Sequence, residues 1–317
     1  MSPSTVCLIG GTGFVGRHLA TELARRGHTL KLLTRRRERH REFLVFPRVN
    51  VVQADVHNVA ALSSAIEGSD VVISMAGILN PEGKDTFTRV HCDLPATIAA
   101  ACATQEIGRI VHISSLGTRE DAPSEYLRSK WAGEQALMRN TASPTATTIL
   151  RPSVIFGLGD SFFNRFATLL RMSPGIFPLA AANARMQPIY IGDVVEAVVT
   201  CLEERATWGE CYDIAGPYSY SLQELVEYTA QIIGERTWVF PLPASLALLQ
   251  AKVMERLPGK PFTVDNLRSL SVDNVTEHNG LDALGIAPTS IDAVVPRYLG
   301  RENRNRRNRI FRRTAGR

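Results

Sequence analysis

Residues 6–19 read VCLIGGTGFVGRHL, and this stretch decides the fold. Val6 to Ile9 form a short apolar run, the pattern of a buried strand. Gly10, Gly13 and Gly16 follow at a spacing of three. Thr12, Phe14 and Val15 lie between them, and Val15, Leu19 and Leu23 then fall on one face of a helix. Glycine lets the backbone pass close to a pyrophosphate, and the free N–H groups of the helix start point at the anion. Strand, glycine turn and helix come in the order that a dinucleotide site requires.

The same rhythm continues outward. Apolar strand patterns recur at 29–34, 49–54, 71–75, 109–114 and 147–150, and helical patterns at 59–66, 87–104 and 124–139. This predicts an α/β protein, a Rossmann-type doubly wound parallel sheet with its ligand at the carboxyl ends of the strands. Residues 1–152 are expected to form the dinucleotide-binding domain. Residues 153–300 are expected to form a smaller, interleaved C-terminal α/β region that completes the substrate side. There 188–191 and 212–214 read as short strands. Asp193 is expected to cap a helix over 194–203, and Ser221 to open one that ends at Gly234. The segment 244–257 places Leu246, Leu249, Val253 and Leu257 at helical spacing; packing in the core is its first expected role, and assisting attachment to a membrane its alternative.

The 317 residues carry a net charge of +5, but the excess is local. Residues 301–317, RENRNRRNRIFRRTAGR, hold eight arginines and one glutamate; the other 28 basic and 30 acidic residues leave the body at −2. A segment so polar cannot bury enough surface to fold alone, so a basic, disordered tail is expected. It suits an anionic membrane surface or an acidic patch of a membrane complex. No nucleic acid is expected as partner, because no binding module accompanies the tail. The five cysteines form no CxxC pair and read as buried, reduced thiols; no metal site is expected. No signal peptide or membrane-spanning run is visible, so a cytoplasmic protein is expected, peripheral to the inner membrane through its tail.

Tyr126 and Lys130 stand four apart in YLRSK, on one face of a predicted helix. An ammonium beside a phenol is expected to lower its pKa toward neutrality. The preceding strand ends at Ser114 and Ser115, where a hydroxyl can hydrogen-bond a substrate carbonyl while Tyr126 supplies a proton. The second strand ends in Thr34-Arg35-Arg36-Arg37, without the acidic residue that bonds a ribose 2′-hydroxyl. Arg35 and Arg36 are therefore expected to hold a 2′-phosphate, so NADP(H) is preferred and NAD(H) is the alternative. His112 is expected to pack in the core, since alternation along a strand lets at most one of His112 and Ser115 face the site.

These features, with LRPSVIFG at 150–157 and PIYIGDVVEAV at 188–198, resemble the short-chain dehydrogenase/reductase superfamily in its extended or atypical branch. AGPYSYSLQELVEY, LPGKPFTVDNLRSLSVDN and LGIAPTSIDAVVPRYL resemble the nucleotide-binding accessory subunits of respiratory complex I and their bacterial relatives. The resemblance assigns Gly10, Gly13 and Gly16 to the pyrophosphate, Asp55 and Val56 to the adenine, and Ala76 and Gly77 to the loop over the cofactor. It makes Ser115, Tyr126 and Lys130 the catalytic set, and it places Pro152 beside the nicotinamide. His91 stands where active members carry an asparagine that orients a relay water. The resemblance implies first an NADP(H)-binding accessory or assembly factor of a respiratory NADH:quinone oxidoreductase or quinone-related complex. Its alternative is an active NADP(H)-dependent reductase or epimerase acting on a small carbonyl or quinone precursor.

Overall fold

The computed structural model describes residues 4–139, 145–173, 175–257 and 259–300. It divides into two compact units. The first comprises the chain up to Pro152 with Val194–Ile214 and His278–Ile286; the second comprises Ser153–Asp193, Ala215–Glu277 and the chain from Ala287. The arginine-rich 301–317 lies outside the described residues.

The first unit is built on one sheet of seven parallel strands: β1 (Thr5–Ile9), β2 (Thr29–Thr34), β3 (Val49–Gln53), β4 (Val71–Ser74), β5 (Arg109–Ile113), β6 (Ala146–Pro152) and β7 (Cys211–Ile214). Their spatial order is β7-β6-β5-β4-β1-β2-β3. Every residue of β4 and β5 is buried, as expected of strands covered on both faces. The strand order reverses between β1 and β4, which both pair in parallel register (Cys7 with Val72, Ile9 with Ser74). A crevice for a ligand opens at the carboxyl ends of strands at such a reversal.

In the chain up to Pro152 four helices flank the sheet: α1 (Phe14–Arg25), α2 (Val59–Ile66), α3 (Leu94–Thr104) and α4 (Glu125–Met138). Asn58 caps α2 through Ala61 N–H at 3.0 Å, and Ser124 caps α4 through Leu127 N–H at 3.2 Å. The helix expected over 87–104 is interrupted. Residues Thr88–Asp93 form a π-helical turn before α3 begins. Such turns insert an extra residue and are frequent at functional sites. Gly133 of α4 lies against this turn: a Cβ there would sit 1.9 Å from the His91 carbonyl oxygen.

In the second unit Phe156, Phe163, Leu170, Leu225, Val226 and Val295 belong to one buried cluster. Two short parallel strands, Gly175–Leu179 and Thr237–Pro241, form a ribbon. The helix Leu222–Ile233 begins at Ser221 in a reciprocal capping box with Glu224 and ends at Gly234 in the left-handed conformation. Two expectations fail, one where the chain passes from the second unit back to the first and one within the second unit. The helix expected from 194 starts at Ile191, so Asp193 lies inside its first turn. Its carboxylate instead accepts from Thr289 N–H at 2.7 Å and from the Thr289 hydroxyl at 2.9 Å. The helix Ala244–Met254 buries only Ala247 and Ala251, while Leu246, Leu249, Val253 and Leu257 face solvent. The small alanines let it pack closely on one side, and the large residues occupy the other.

No helix among the described residues is long and apolar enough to cross a membrane.

Candidate nucleotide and proton-transfer site

The glycine turn after β1 has a steric reason at each end. Gly10 adopts φ +85, and a Cβ on it would meet the Ala76 nitrogen at 2.8 Å. The β1 turn and the loop after β4 thus touch backbone to backbone, which only glycine allows. A Cβ on Gly16 would sit 2.5 Å from the Gly10 carbonyl oxygen, so α1 can start this close to the turn only without a side chain. Gly13 is the residue before α1 and offers no side-chain cap. The first amides of α1 have no partner inside a helix and remain available to an anion. Thr12 joins the turn through its carbonyl, which accepts from Arg17 Nε at 2.9 Å. Phe14 packs edge-on against His18, and Val15 is half-buried.

At the end of β2 the two arginines differ. Arg35 pairs with Asp85 at 2.7 Å. Arg36 is exposed, and its guanidinium has no ion-pair partner among the described residues. After β3, Asp55 is exposed and closes a turn by accepting from His57 N–H at 3.0 Å, with Val56 half-buried beside it. Ala76 and Gly77 follow β4 beside the glycine turn. Pro152 ends β6, and its carbonyl accepts from Leu116 N–H at 2.9 Å.

The structure brings Ser115, Tyr126 and Lys130 together after β5. The Ser115 hydroxyl lies beside the Tyr126 phenol and favours its ionisation. Burial outweighs it, and the phenol pKa lies above its ordinary value. This corrects the expectation of a phenol lowered by Lys130. The Lys130 ammonium donates instead to the Ile113 carbonyl at 2.8 Å, and burial lowers its pKa from 10.5 to about 8, with Glu134 opposing. Glu134 is itself fully buried and is held by Arg151 Nε at 2.9 Å and the Thr118 hydroxyl at 3.0 Å. Ser114 takes no part: its buried hydroxyl has no hydrogen-bond partner among the described residues.

Two buried histidines lie near Lys130. His112 contacts the Ser74 hydroxyl at 3.1 Å and is held neutral by burial and then by Lys130. His91 is more informative. Its Nε2 accepts from Ile78 N–H at 3.0 Å. The Ser129 hydroxyl donates to the Tyr126 carbonyl at 2.7 Å, so at 2.9 Å from His91 Nδ1 it must accept. The imidazole is therefore the neutral Nδ1–H tautomer with both nitrogens engaged. Burial first, and Lys130 second, lower its pKa from 6.5 to about 3. His91 stacks on Phe87 and meets the Tyr126 ring edge-on at 5.5 Å. It has no nitrogen left to orient a relay water. It clamps the 76–78 loop, the π turn and the Tyr126 helix together. YLRSK and the glycine triplet were visible as motifs; this clamp was not, because a lone histidine on a helix has no pattern.

Residues 10–156 match a family described as NAD(P)H-binding. Over 298 residues the chain is 29% identical to the mouse mitochondrial NADH dehydrogenase [ubiquinone] 1 alpha subcomplex subunit 9, covering 90% of this chain and 77% of that protein. It is 32% identical over 239 residues to a ceramide reductase of Caulobacter vibrioides, covering 75% of this chain and 73% of that one. Among solved structures, an NADPH-dependent quinone oxidoreductase of Escherichia coli with NADPH bound superposes with a TM-score of 0.73 at 16% identity, covering 91% of this chain and 97% of that one. That likeness bears on the fold.

Proposed function

This chain belongs to the NAD(P)-binding, extended short-chain dehydrogenase/reductase family, and from that premise we propose that it is an NADP(H)-dependent reductase. The observation that carries the proposal is the convergence of Ser115, the Tyr126 phenol and the buried Lys130 ammonium at the end of β5. Gly10 and Gly16 leave a backbone cradle that a Cβ would fill, which fits a pyrophosphate. Arg36, exposed at the end of β2, offers a guanidinium to a 2′-phosphate, and Arg35 neutralises Asp85, which would otherwise repel it.

When bound, a reduced nicotinamide supplies a hydride to a carbonyl carbon. Ser115 orients the carbonyl oxygen, and the Tyr126 phenol gives it a proton. A phenol whose pKa is raised stays protonated at neutral pH and is ready to donate. Lys130 keeps a positive charge beside the site, where it stabilises the phenolate left behind. The substrate class we propose is a keto group on a membrane amphiphile, a quinone precursor or a ceramide-like lipid. The relatives support it, since one is named for ubiquinone and one for ceramide. The test is NADPH oxidation against dispersed long-chain ketones: turnover that Tyr126→Phe abolishes supports the proposal, and equal turnover in that variant overturns it.

One observation favours a second reading. Both His91 nitrogens are engaged, so the asparagine-type water relay has no seat there. A site that holds nucleotide without turnover would suit an accessory or assembly factor of a respiratory membrane complex, contacted through the basic tail 301–317 on an anionic membrane surface or on an acidic patch of that complex. Co-purification from native membranes with a respiratory NADH:quinone oxidoreductase, together with bound NADP(H) and no ketone reduction, would select that reading.

A further inference from the structure

In the second unit a group of large apolar residues lies exposed together. Ile176, Trp238, Phe240, Leu246, Leu249 and Val253 are exposed, with Trp238 at 64% and Leu249 at 57%. They lie on two elements that touch. In the ribbon, Ile176 pairs with Trp238 and Pro178 with Phe240. Strand alternation turns these four outward and sends Phe177, Leu179 and Val239 inward. The Trp238 and Phe240 rings contact each other at 5.6 Å. The helix Ala244–Met254 is tied to the ribbon by Gln250 Nε2, which donates to the Pro178 carbonyl at 3.2 Å. Scattered exposed apolar residues need no explanation, but a contiguous set this large marks an interaction surface.

The charges beside it select the occupant. Arg236, Lys252 and Arg256 are exposed on or next to these elements, against one exposed acid, Glu255. Glu255 is turned to its own chain, accepting from Val264 N–H at 3.4 Å. By helical spacing, Lys252 falls on one flank of the Leu246, Leu249 and Val253 stripe, and Arg256 follows in the turn after the helix. A leucine stripe edged by cations, with a tryptophan and a phenylalanine beside it, is the pattern of a helix lying in a membrane interface. The core of a protein–protein interface is instead depleted in lysine, and leucine is under-represented among its hot spots.

We propose that the outward face of this ribbon and helix docks on an anionic lipid bilayer. The face shares no residue with the nucleotide site, and the proposal stands whether or not that site turns over. It also differs from the tail: it supplies apolar insertion, which salt does not screen, whereas 301–317, with eight arginines, supplies chiefly charge.

The test uses the full chain with protein-free vesicles of phosphatidylcholine, with and without about 30 mol% phosphatidylglycerol. The chain is expected to co-sediment with the anionic vesicles and to retain part of that binding at high salt. The double variant Leu249→Ser/Val253→Ser is expected to partition about tenfold less while keeping its NADPH affinity and melting temperature. Deleting 301–317 is expected to remove most of the salt-sensitive part, leaving the apolar part and the share carried by Lys252 and its neighbours. Trp238 gives an independent readout: its emission should shift blue on vesicles and be quenched by brominated acyl chains, a signal absent in Trp238→Phe. The proposal is overturned if the double variant partitions like the wild type. It is equally overturned if the chain ignores vesicles and the variant only breaks a self-associated form, which would assign the face to a second copy. Absence of Trp238 quenching on bound vesicles overturns it as well.

Discussion

At the end of β1, the backbone leaves no room for a methyl group on Gly10 or Gly16; along 246–253, three large apolar side chains stand about half in solvent. The first region is over-determined. A turn, a loop and a helix start meet within van der Waals distance, so each residue has one acceptable identity. The second is under-determined by the fold, because nothing within its own unit requires leucine at those positions. Residues that folding demands report on architecture. Residues that folding tolerates at a cost in solubility report on what the surface meets.

The contrast breaks first at Gly16. Gly16→Val should abolish measurable NADPH binding in a fluorescence titration and lower stability by about 2–4 kcal/mol in urea unfolding. A variant that binds like the wild type would mean that the turn is not the over-determined element it looks to be. Next in size is Tyr126→Phe, expected to reduce turnover by about 10²–10⁴-fold with nucleotide affinity nearly unchanged, read by steady-state kinetics beside calorimetry.

His91 sharpens the same comparison through pH. Its folded pKa, about 3, lies below the ordinary 6.5. As pH falls through that window the unfolded chain takes up a proton that the folded chain refuses. The stability that His91 contributes is present above 6.5 and is lost toward 3. In chemical unfolding, His91→Asn should flatten the acid slope by up to about 1.4 kcal/mol per pH unit below 6.5. His112 remains in both proteins, so the difference isolates His91.

Smaller still is Arg36→Asp, which should narrow the preference for NADPH over NADH by roughly tenfold in calorimetric dissociation constants. At the far end, Leu249→Ser should change unfolding free energy by less than about 0.5 kcal/mol, because an exposed side chain gives up little burial on removal. A large loss there would show that the leucine is needed by the fold and would erase the distinction between the two regions.

Much of the sheet could be read in advance, because central parallel strands are buried on both faces and leave continuous apolar runs such as VCLI and VVI. The glycine triplet and YLRSK were legible for a related reason: each acts over one turn of chain, within reach of local spacing. Helical spacing alone could not tell which side of 244–257 faces inward. It marked the leucine stripe, but the packing side is set by Ala247 and Ala251, whose small size allows close approach. Asp193 misled in the same way. Its position before an apolar run suited a cap, yet its partner is Thr289, 96 residues away.

The sequence by itself determined the order of strands and helices, the nucleotide-binding turn and the residue types at the end of β5, because these depend on local sterics and periodicity. Only the tertiary structure decided what those residue types do. It gave Lys130 to the Ile113 carbonyl, raised the Tyr126 phenol, engaged both nitrogens of His91 and turned the leucines of 246–253 outward. The physical reason is that hydrogen-bond partners and burial are set by groups tens of residues apart. Their desolvation and geometry exist only once the chain has closed on itself.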